Sequence, residues 1–160
     1  MTKAVNNRDK KVIKDFGQEW NKFNQSKLDS TESELMFNSY FKIFPSSFLK
    51  PNMVGYDMGC GSGRWAKHIA PKVKKLYCVD PSNSINIAKI NLSSLSNCIF
   101  MKQNVYDFSL KNNSMDFGYC LGVLHHVQDT EKALKNCVSK LKNGSPLLIY
   151  LYYSFENRPF

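Results

Sequence analysis

Five short apolar runs, separated by stretches of helical periodicity, constrain the fold of this chain more than any other feature. The runs are predicted strands at residues 53–57, 76–79, 99–101, 115–121 and 146–153. Strands that alternate with helices form right-handed β-α-β units and a mostly parallel sheet. Such a sheet is covered on both faces, which agrees with the near-continuous apolar character of the runs. The sequence therefore predicts an α/β fold, in which a doubly wound, mostly parallel sheet carries helices on both faces.

The helices between the strands are predicted from their caps and breakers. A helix over residues 64–70 would end at Pro71, because proline cannot continue a helix. Ser82 is a good N-cap for the helix that precedes strand three. Asp129 or Thr130 caps the helix that precedes strand five.

A polar, basic segment precedes the strands, and we predict it to be helical over residues 1–45. Three of its aromatic residues are spaced i, i+4, i+7, as on one helix face: Phe16, Trp20 and Phe23. A capping box at residues 31–34 starts a second helix, which Pro45 would end. The segment either forms a lid over a ligand or packs against the domain that we predict over residues 46–160.

Composition narrows the class of protein. The 160 residues suit one domain, and 42% hydrophobic residues suffice for a core. No run approaches the ~18 apolar residues of a membrane span, and the first residues lack the apolar core of a signal peptide. The five cysteines lie singly in apolar runs, which disfavours a disulfide framework or a metal site. We therefore expect a cytoplasmic protein with reduced core cysteines, no metal and no membrane span.

The formal net charge of +9 could attract nucleic acid or an anionic membrane. However, 19 of the 22 basic residues are lysines, and they are scattered along the chain. Proteins that bind nucleic acid usually concentrate their charge and favour arginine. We interpret the charge as a solvated, lysine-rich surface and expect no nucleic-acid partner.

The glycine-rich turn after strand one, Asp57-Met58-Gly59-Cys60-Gly61-Ser62-Gly63, is the main candidate for ligand binding. Ligands of doubly wound sheets bind at the carboxyl ends of the strands, and glycines let a backbone approach a ligand closely. A dinucleotide pattern, G-x-G-x-x-G, would need glycine where this chain has Arg64. Asp57 is also unfavourable beside a pyrophosphate, whereas it suits a ligand with an ammonium group.

Asp80 ends strand two, 23 positions after Asp57. An acid at this place accepts hydrogen bonds from ribose hydroxyls. The alternative is that Asp80 only stabilises the N-terminus of the next helix, which contributes up to ~1 kcal/mol. Because the acid and the glycine turn occur together, we favour the ribose role.

The combination Asp57-x-Gly59-x-Gly61-x-Gly63 with Asp80 resembles the class I S-adenosylmethionine-dependent methyltransferases. Residues 100–108, 116–127 and 140–145 resemble further segments of that family, and the resemblance covers roughly residues 50–153. It is closest to the small-molecule branch that includes quinone-ring and natural-product methyltransferases. The resemblance implies a Rossmann-like fold and S-adenosylmethionine as cofactor, with S-adenosylhomocysteine as product.

The resemblance also implies a set of cofactor-binding residues. By position they are Asp57, Gly59, Cys60, Gly61, Gly63, Arg64, Asp80, Pro81, Ser82, Asn104, Val105, Leu121 and Gly122. Asp57 would face the amino group of the cofactor, and Asp80 would hold the ribose. The first part of the glycine turn and the end of strand four would line the methionine moiety. Asn104 and Val105 would border the adenine. Asn104 stands where the family commonly has Asp, and it keeps the acceptor oxygen for the exocyclic amine.

Candidate catalytic residues are fewer. His125 and His126 could contact the substrate or act as a base, because histidine titrates near neutrality. The alternative is that the pair orders its loop. Tyr150, Tyr152 and Tyr153 follow strand five, where they would line the substrate side or pack in the core or an interface.

The leading hypothesis is an enzyme that transfers a methyl group from S-adenosylmethionine to a small molecule. A dinucleotide-dependent oxidoreductase is disfavoured by Arg64 and Asp57. An RNA methyltransferase is suggested by charge alone, because residues 121–124 lack the Asn/Asp-Pro-Pro-aromatic motif that holds a flipped base. A binding module without turnover is a further alternative, since the family normally continues to a sixth and seventh strand. The sequence stops soon after strand five, as in a fragment, a short variant or a dimer whose partner covers the edge.

Overall fold

The computed structural model describes residues 30–44 and 46–152. Five parallel strands form one sheet in the order β3-β2-β1-β4-β5. The strands are β1 (Val54–Met58), β2 (Lys75–Val79), β3 (Cys98–Met101), β4 (Phe117–Leu121) and β5 (Leu147–Tyr150). The α/β prediction, with a parallel doubly wound sheet of Rossmann-like type, is therefore confirmed. Three sequence predictions lie outside the described residues. They are the helix face of Phe16, Trp20 and Phe23, the helix stop at Pro45, and the position of Tyr153.

Four α-helices accompany the strands in the described part of the chain. They are α1 (Ser30–Tyr40), α2 (Ala66–Ile69), α3 (Ser84–Asn91) and α4 (Thr130–Lys140). Short 3-10 turns occupy Ser46–Phe48, Ala70–Lys72 and Leu124–His126. The N-cap of α4 is Asp129, whose carboxylate accepts a hydrogen bond from the Lys132 amide at 2.8 Å.

Several predicted helix boundaries differ from the structure. The helix predicted over residues 64–70 is shorter, at Ala66–Ile69, and α1 already includes Ser30, before the predicted capping box at residues 31–34. Pro71 lies inside the 3-10 turn that follows α2, near its start, where a missing amide costs little. Asn83, and not Ser82, occupies the N-cap position of α3. The Ser82 hydroxyl still accepts a hydrogen bond from the Ser84 amide at 3.2 Å.

The core has two layers, one on each face of the sheet. One layer packs α1, α2 and α3 against the sheet; its large buried side chains include Phe37, Phe41, Trp65, Ile69, Leu76 and Leu92. The other layer packs α4 and the segment after β3 against the opposite face; it includes Tyr56, Met58, Phe108, Leu124 and Cys137. Helices on both faces explain why the strands are apolar along their whole length.

Two glycines let aromatic rings lie across the central strands. Gly55 pairs with Phe117 and Tyr56 pairs with Gly118 in the register of β1 and β4. A Cβ on Gly55 would lie 2.3 Å from the Phe117 ring, and one on Gly118 would lie 2.4 Å from the Tyr56 ring. The Tyr56 hydroxyl then reaches across to α4 and donates a hydrogen bond to the Cys137 carbonyl at 2.9 Å. These contacts hold β1 and β4 in register near the start of the two strands.

The cysteines are buried small residues of the two layers. All five carry free thiols, at Cys60, Cys78, Cys98, Cys120 and Cys137. In the part of the chain that the structure describes, no helix has the length and apolar character needed to cross a membrane.

Candidate cofactor and acceptor site

The strand order reverses between β1 and β4. From β1 the chain winds outward through β2 to β3, and then crosses back to β4 and β5. Ligands of such sheets bind at this switch point, outside the carboxyl ends of the strands. The glycine turn (residues 59–63), Asp80 and Gly122 directly follow β1, β2 and β4.

Asp57 is a buried acid and the second-to-last residue of β1, two residues before the glycine turn. Its side chain is 1% exposed, and its Oδ2 atom makes no hydrogen bond to the described residues. Burial raises the pKa of this carboxyl well above its usual range. The Tyr119 hydroxyl, opposite it on β4 but outside good hydrogen-bond geometry, offsets part of the rise, whereas Asp80 adds to it. A buried carboxyl oxygen without a partner fits a cationic ligand group such as an ammonium.

Backbone hydrogen bonds hold the glycine turn against the end of β2. The amides of Gly59 and Cys60 both donate to the Val79 carbonyl, at 2.7 and 3.1 Å. Gly59 and Gly63 have φ angles of +76° and +83°, which side chains rarely adopt. A Cβ on Gly59 would lie 2.3 Å from Val123 Cγ2, so the turn is also too close to the loop after β4 for a side chain. Glycine is thus required here by both conformation and close approach.

Asp80 ties the glycine turn to the end of β2. Its carboxylate accepts hydrogen bonds from the Gly61 amide at 2.9 Å, the Ser82 amide at 2.8 Å and the Ser82 hydroxyl at 2.6 Å. A carboxylate offers about four acceptor positions, so these three leave one for a ligand. The Ser82 hydroxyl also lies 2.6 Å from the Ser84 hydroxyl, which extends the network into α3. Pro81, between the acid and the serine, is half-buried.

Asn104 and Val105 follow β3 in a turn. The Asn104 side-chain oxygen accepts a hydrogen bond from the Tyr106 amide at 2.7 Å, and this oxygen therefore has only a second lone pair to offer an adenine amine. The Val105 side chain is buried, and its carbonyl accepts a hydrogen bond from Asn136 at 2.8 Å.

Leu121 and Gly122 end β4 on the other side of the switch point. Gly122 has a φ angle of +75°, and its amide donates to the Tyr150 carbonyl at 3.0 Å. Among the described residues, a Cβ on Gly122 would have one neighbour within 4 Å, the Tyr152 hydroxyl at 3.8 Å. The described part of the chain therefore leaves space beside Gly122, which it does not beside Gly59.

The two adjacent histidines lie in the 3-10 turn after β4. Their ring centroids are 3.9 Å apart, and the His125 ring contacts Tyr152 with a centroid distance of 4.6 Å. Burial lowers the pKa of both rings, and the charge of His126 lowers the pKa of His125 further. Neither ring nitrogen of His125 has a hydrogen-bond partner among the described residues. A neutral, unpaired imidazole has a lone pair that can accept a proton from a substrate.

The structure brings together a group of contacting aromatic rings, here called the aromatic wall, which the sequence did not reveal as a group. It consists of Tyr40, Trp65, Tyr150, Tyr152 and His125. Neighbouring centroids lie 4.8 Å (Tyr40–Trp65), 4.9 Å (Tyr40–Tyr150), 5.4 Å (Tyr150–Tyr152) and 4.6 Å (Tyr152–His125) apart. The rings come from α1, the N-cap of α2, the turn after β4, and the end of β5 with the residues that follow it, so no local pattern could have joined them. Tyr150 and Tyr152 were predicted to lie on the substrate side or in packing contacts.

A switch-point site with a glycine turn, a buried acid at β1 and an acid after β2 is typical of α/β domains that bind a nucleotide cofactor. Residues 56–149 match the methyltransferase domain family. The chain belongs to this family, the class I S-adenosylmethionine-dependent methyltransferases.

Relatives and solved structures agree with this membership. The chain is 33% identical over 132 residues to a tRNA U34 carboxymethyltransferase of Campylobacter fetus, covering 80% of this chain and 45% of that protein. It is 29% identical over 106 residues to a ubiquinone biosynthesis O-methyltransferase of Coxiella burnetii, covering 65% and 44%. The fold is similar to that of the N-methyltransferase NodS from Bradyrhizobium japonicum, crystallised with S-adenosylhomocysteine (TM-score 0.66, 22% identity, 78% of this chain and 64% of that chain). The chain thus spans less than half the length of these two curated relatives.

Proposed function

We propose that this chain binds S-adenosylmethionine at the carboxyl ends of β1, β2 and β4 and transfers its methyl group to a small-molecule acceptor. The observation that carries the proposal is the buried Asp57 carboxyl, whose Oδ2 has no partner in the described structure. It lies two residues before a glycine turn that Asp80 holds from the neighbouring strand. A dinucleotide would place its pyrophosphate at the glycine turn, where this carboxyl is unfavourable, whereas the methionine moiety has an ammonium group to pair with it.

Each candidate residue has a role that its geometry can support. Asp57 would pair with the ammonium group of the cofactor, and Asp80 would use its remaining acceptor position for a ribose hydroxyl. Ser82 and Pro81 would hold Asp80 in place. Gly122, which has no side chain to block the approach, would let the methionine moiety lie between the ends of β1 and β4, and Gly59 would contribute its backbone in the turn.

The adenine end of the pocket rests on weaker contacts. Asn104 would accept a hydrogen bond from the exocyclic amine with its second lone pair, because the first holds the Tyr106 amide. Val105 would provide a buried apolar surface beside the ring. The remaining turn residues, Cys60 and Gly61, would contribute backbone atoms alone, since the Cys60 thiol is buried in the core.

Methyl transfer from S-adenosylmethionine requires few catalytic groups from the protein. The sulfonium of the cofactor supplies an activated methyl group. The residues of the chain position the acceptor in line and exclude water. His125 would accept the proton of an acidic acceptor, because burial lowers its pKa and so keeps the ring unprotonated, and because its ring nitrogens have no partner in the described structure. The charge of His126 also favours the unprotonated ring, and the same repulsion makes His125 a weaker base.

The test is a calorimetric titration of the purified chain with S-adenosylhomocysteine, with NADH and a short RNA as controls. We expect saturable binding of S-adenosylhomocysteine and no binding of NADH. Binding of NADH in its place, or binding of neither by a folded chain, would contradict the proposal. Circular dichroism of the same sample establishes that the chain is folded.

A second candidate acceptor is RNA. The observation that favours it is the 33% identity to a tRNA carboxymethyltransferase, together with a net charge of +9. The RNA arm of the titration separates the two candidates. Binding of RNA that weakens only modestly between low and moderate salt would favour an RNA acceptor over a small molecule, because nonspecific lysine contacts are strongly salt-dependent.

We further propose that residues 46–160 form the cofactor-binding domain and that residues 1–45 pack against it. The described part of this segment supports packing, because Phe41, which follows α1 directly, contacts Trp65 and Tyr119 with centroid distances of 6.1 and 5.3 Å. The buried free thiols of the core agree with a reducing, cytoplasmic compartment. The edge of β5 is where a second copy could pair in a homodimer.

A further inference from the structure

Arg64, the residue after the glycine turn, is a half-buried cation without an acidic partner in the described part of the chain. Its Nε atom is buried and makes no hydrogen bond there. The ion pairs among the described residues join Lys135 to Glu131 and Lys142 to Asp116, on other parts of the molecule. A half-buried guanidinium without an acidic partner retains a positive charge that a ligand carboxylate could pair with.

The surroundings of Arg64 are aromatic. Its guanidinium carbon lies 4.0 Å from the centroid of a Trp65 ring and 5.8 Å from that of Tyr40. Burial lowers the pKa of Arg64, and the hydroxyl groups of Tyr40 and Tyr152 act in the opposite direction. Hydroxyls and ring faces stabilise a guanidinium but do not neutralise it. The positive charge therefore remains available to an anionic ligand.

The aromatic wall continues from Arg64 toward the site proposed for methyl transfer. It runs from Trp65 through Tyr40, Tyr150 and Tyr152 to His125, with neighbouring ring centroids 4.6–5.4 Å apart. Tyr150 and Tyr152 are 40% and 56% exposed, so their rings have free surface for a ligand. The Tyr152 hydroxyl also lies beside Gly122, where the described residues leave space. A cation thus lies at one end of the wall and an unpaired imidazole at the other.

We propose that Arg64 and the aromatic wall form an acceptor subsite for a planar aromatic carboxylate. This inference rests on the proposed function and moves Arg64 from the cofactor to the acceptor. The planar fork of the guanidinium matches a carboxylate in two parallel hydrogen bonds. The rings of Tyr150 and Tyr152 favour a flat aromatic body by stacking or edge contacts. The opposite end of the ligand then lies toward His125, where a proton can be accepted.

The experiment compares three small probes on the full chain, with and without S-adenosylhomocysteine. The probes are benzoate, benzamide, which is equally flat but neutral, and cyclohexanecarboxylate, which is charged but not aromatic. Ligand-observed NMR titration measures their affinities. We expect benzoate to bind roughly tenfold more tightly than either control, as one charge-assisted contact and one stacking contact imply.

Two variants identify the cation. Arg64→Gln should reduce benzoate binding to the level of benzamide, and Arg64→Lys should restore part of the preference because it keeps the charge without the fork. A thermal midpoint of Arg64→Gln close to that of the wild type excludes a folding defect. If that variant fails to fold, the comparison of Arg64→Lys with the wild type provides the same test.

Each outcome supports or overturns the proposal. Equal binding of benzoate and benzamide, or benzoate binding that is unchanged in Arg64→Gln, would overturn it. Loss of S-adenosylhomocysteine binding in Arg64→Gln would overturn it as well, because the carboxylate would then be that of the cofactor. A wild-type chain that selects benzoate but does not bind S-adenosylhomocysteine would leave the subsite standing and remove the proposed function, so the two failures are distinguishable.

Discussion

The backbone amide of Gly61 donates a hydrogen bond to the Asp80 carboxylate at 2.9 Å, which joins the turn after β1 to the acid after β2. Asp80 therefore has two tasks, since it shapes the glycine turn as well as offering an acceptor to a ligand. Its two bonds from Ser82 hold the carboxylate in the orientation that both tasks require. The ribose acid and the glycine turn are, in this fold, parts of one hydrogen-bonded unit.

Replacing Asp80 should consequently weaken cofactor binding more than the loss of one ligand contact implies. We expect Asp80→Ala to weaken S-adenosylhomocysteine binding by ~1–3 kcal/mol, from lost charge-assisted hydrogen bonds. Asp80→Asn keeps an acceptor for the Gly61 amide but loses the charge, so its affinity for S-adenosylhomocysteine should lie between those of the wild type and Asp80→Ala. Calorimetry measures the affinities, and Glu32→Gln, which removes an exposed acid of α1, is the control. An affinity of Asp80→Ala equal to that of the wild type would exclude the ribose role.

We expect replacement of Asp57 to raise the stability of the fold and to weaken binding of the cofactor. Because burial raises its pKa in the folded state, its contribution to stability is full below the unfolded pKa of about 4 and is lost as pH rises through the folded pKa. At neutral pH the buried carboxyl therefore lowers the stability of the fold, because burial opposes its ionisation. Asp57→Asn removes this cost. The variant should therefore unfold at a higher temperature than the wild type at neutral pH, and the difference should shrink toward about pH 4.

The same variant should bind S-adenosylhomocysteine more weakly, because an amide does not pair with the ammonium group as a carboxylate does. Thermal melts across pH and a calorimetric titration check the two effects separately. A variant that melts lower than the wild type at neutral pH would contradict the pKa argument. A variant that binds the ligand equally well would contradict the ammonium role.

The order of the elements and the glycine turn could be predicted because their signals are local. Apolar runs, the Asp129 cap and the glycine spacing each depend on neighbouring residues, and the structure has the corresponding elements in that order. The ends of the helices were predicted less accurately than their order. Ser82 has the side chain of a good N-cap, but its hydroxyl donates to Asp80 and the helix begins two residues later.

Contacts between distant segments could not be predicted. The interlocking of Gly55 with Phe117 and of Gly118 with Tyr56 depends on the register of β1 and β4, which no local pattern specifies. The partners of Arg64 come from α1 and from the segment after β5. The position of Arg64 after the glycine turn predicts a site residue, but the absence of an acidic partner among the described residues is visible only in three dimensions.

Asp116 should contribute to stability at neutral pH and lose that contribution in acid. Burial alone would raise its pKa, but the hydrogen bonds from Lys142 and the Val54 amide and the charge of Lys142 lower it overall. Because the folded pKa is depressed, the contribution is present above the unfolded pKa of about 4 and is lost as pH falls through the folded pKa.

We expect Asp116→Asn to lower the free energy of unfolding by up to about 1 kcal/mol at neutral pH, since solvent screens the half-exposed Lys142. The difference from the wild type should disappear in acid. Glu131→Gln is the matched control, because it breaks a pair whose side chains are both mostly exposed and should change little. Urea unfolding at several pH values measures both variants, and a loss in Asp116→Asn that persists unchanged in acid would contradict the ionic origin.

Gly122 and Gly144 form a matched pair for locating the cofactor. Their φ angles are +75° and +79°, and neither would place a Cβ in a clash. Alanine at either position should therefore destabilise the fold by a similar amount, about 1–2 kcal/mol from left-handed strain. Only Gly122 borders the switch point, because Gly144 lies at the opposite end of the sheet, before β5. We expect Gly122→Ala to lower S-adenosylhomocysteine affinity at least several-fold and Gly144→Ala to leave it unchanged. Thermal melts and calorimetry on the two variants provide the comparison. Equal affinities despite equal destabilisation would place the methionine moiety away from the end of β4.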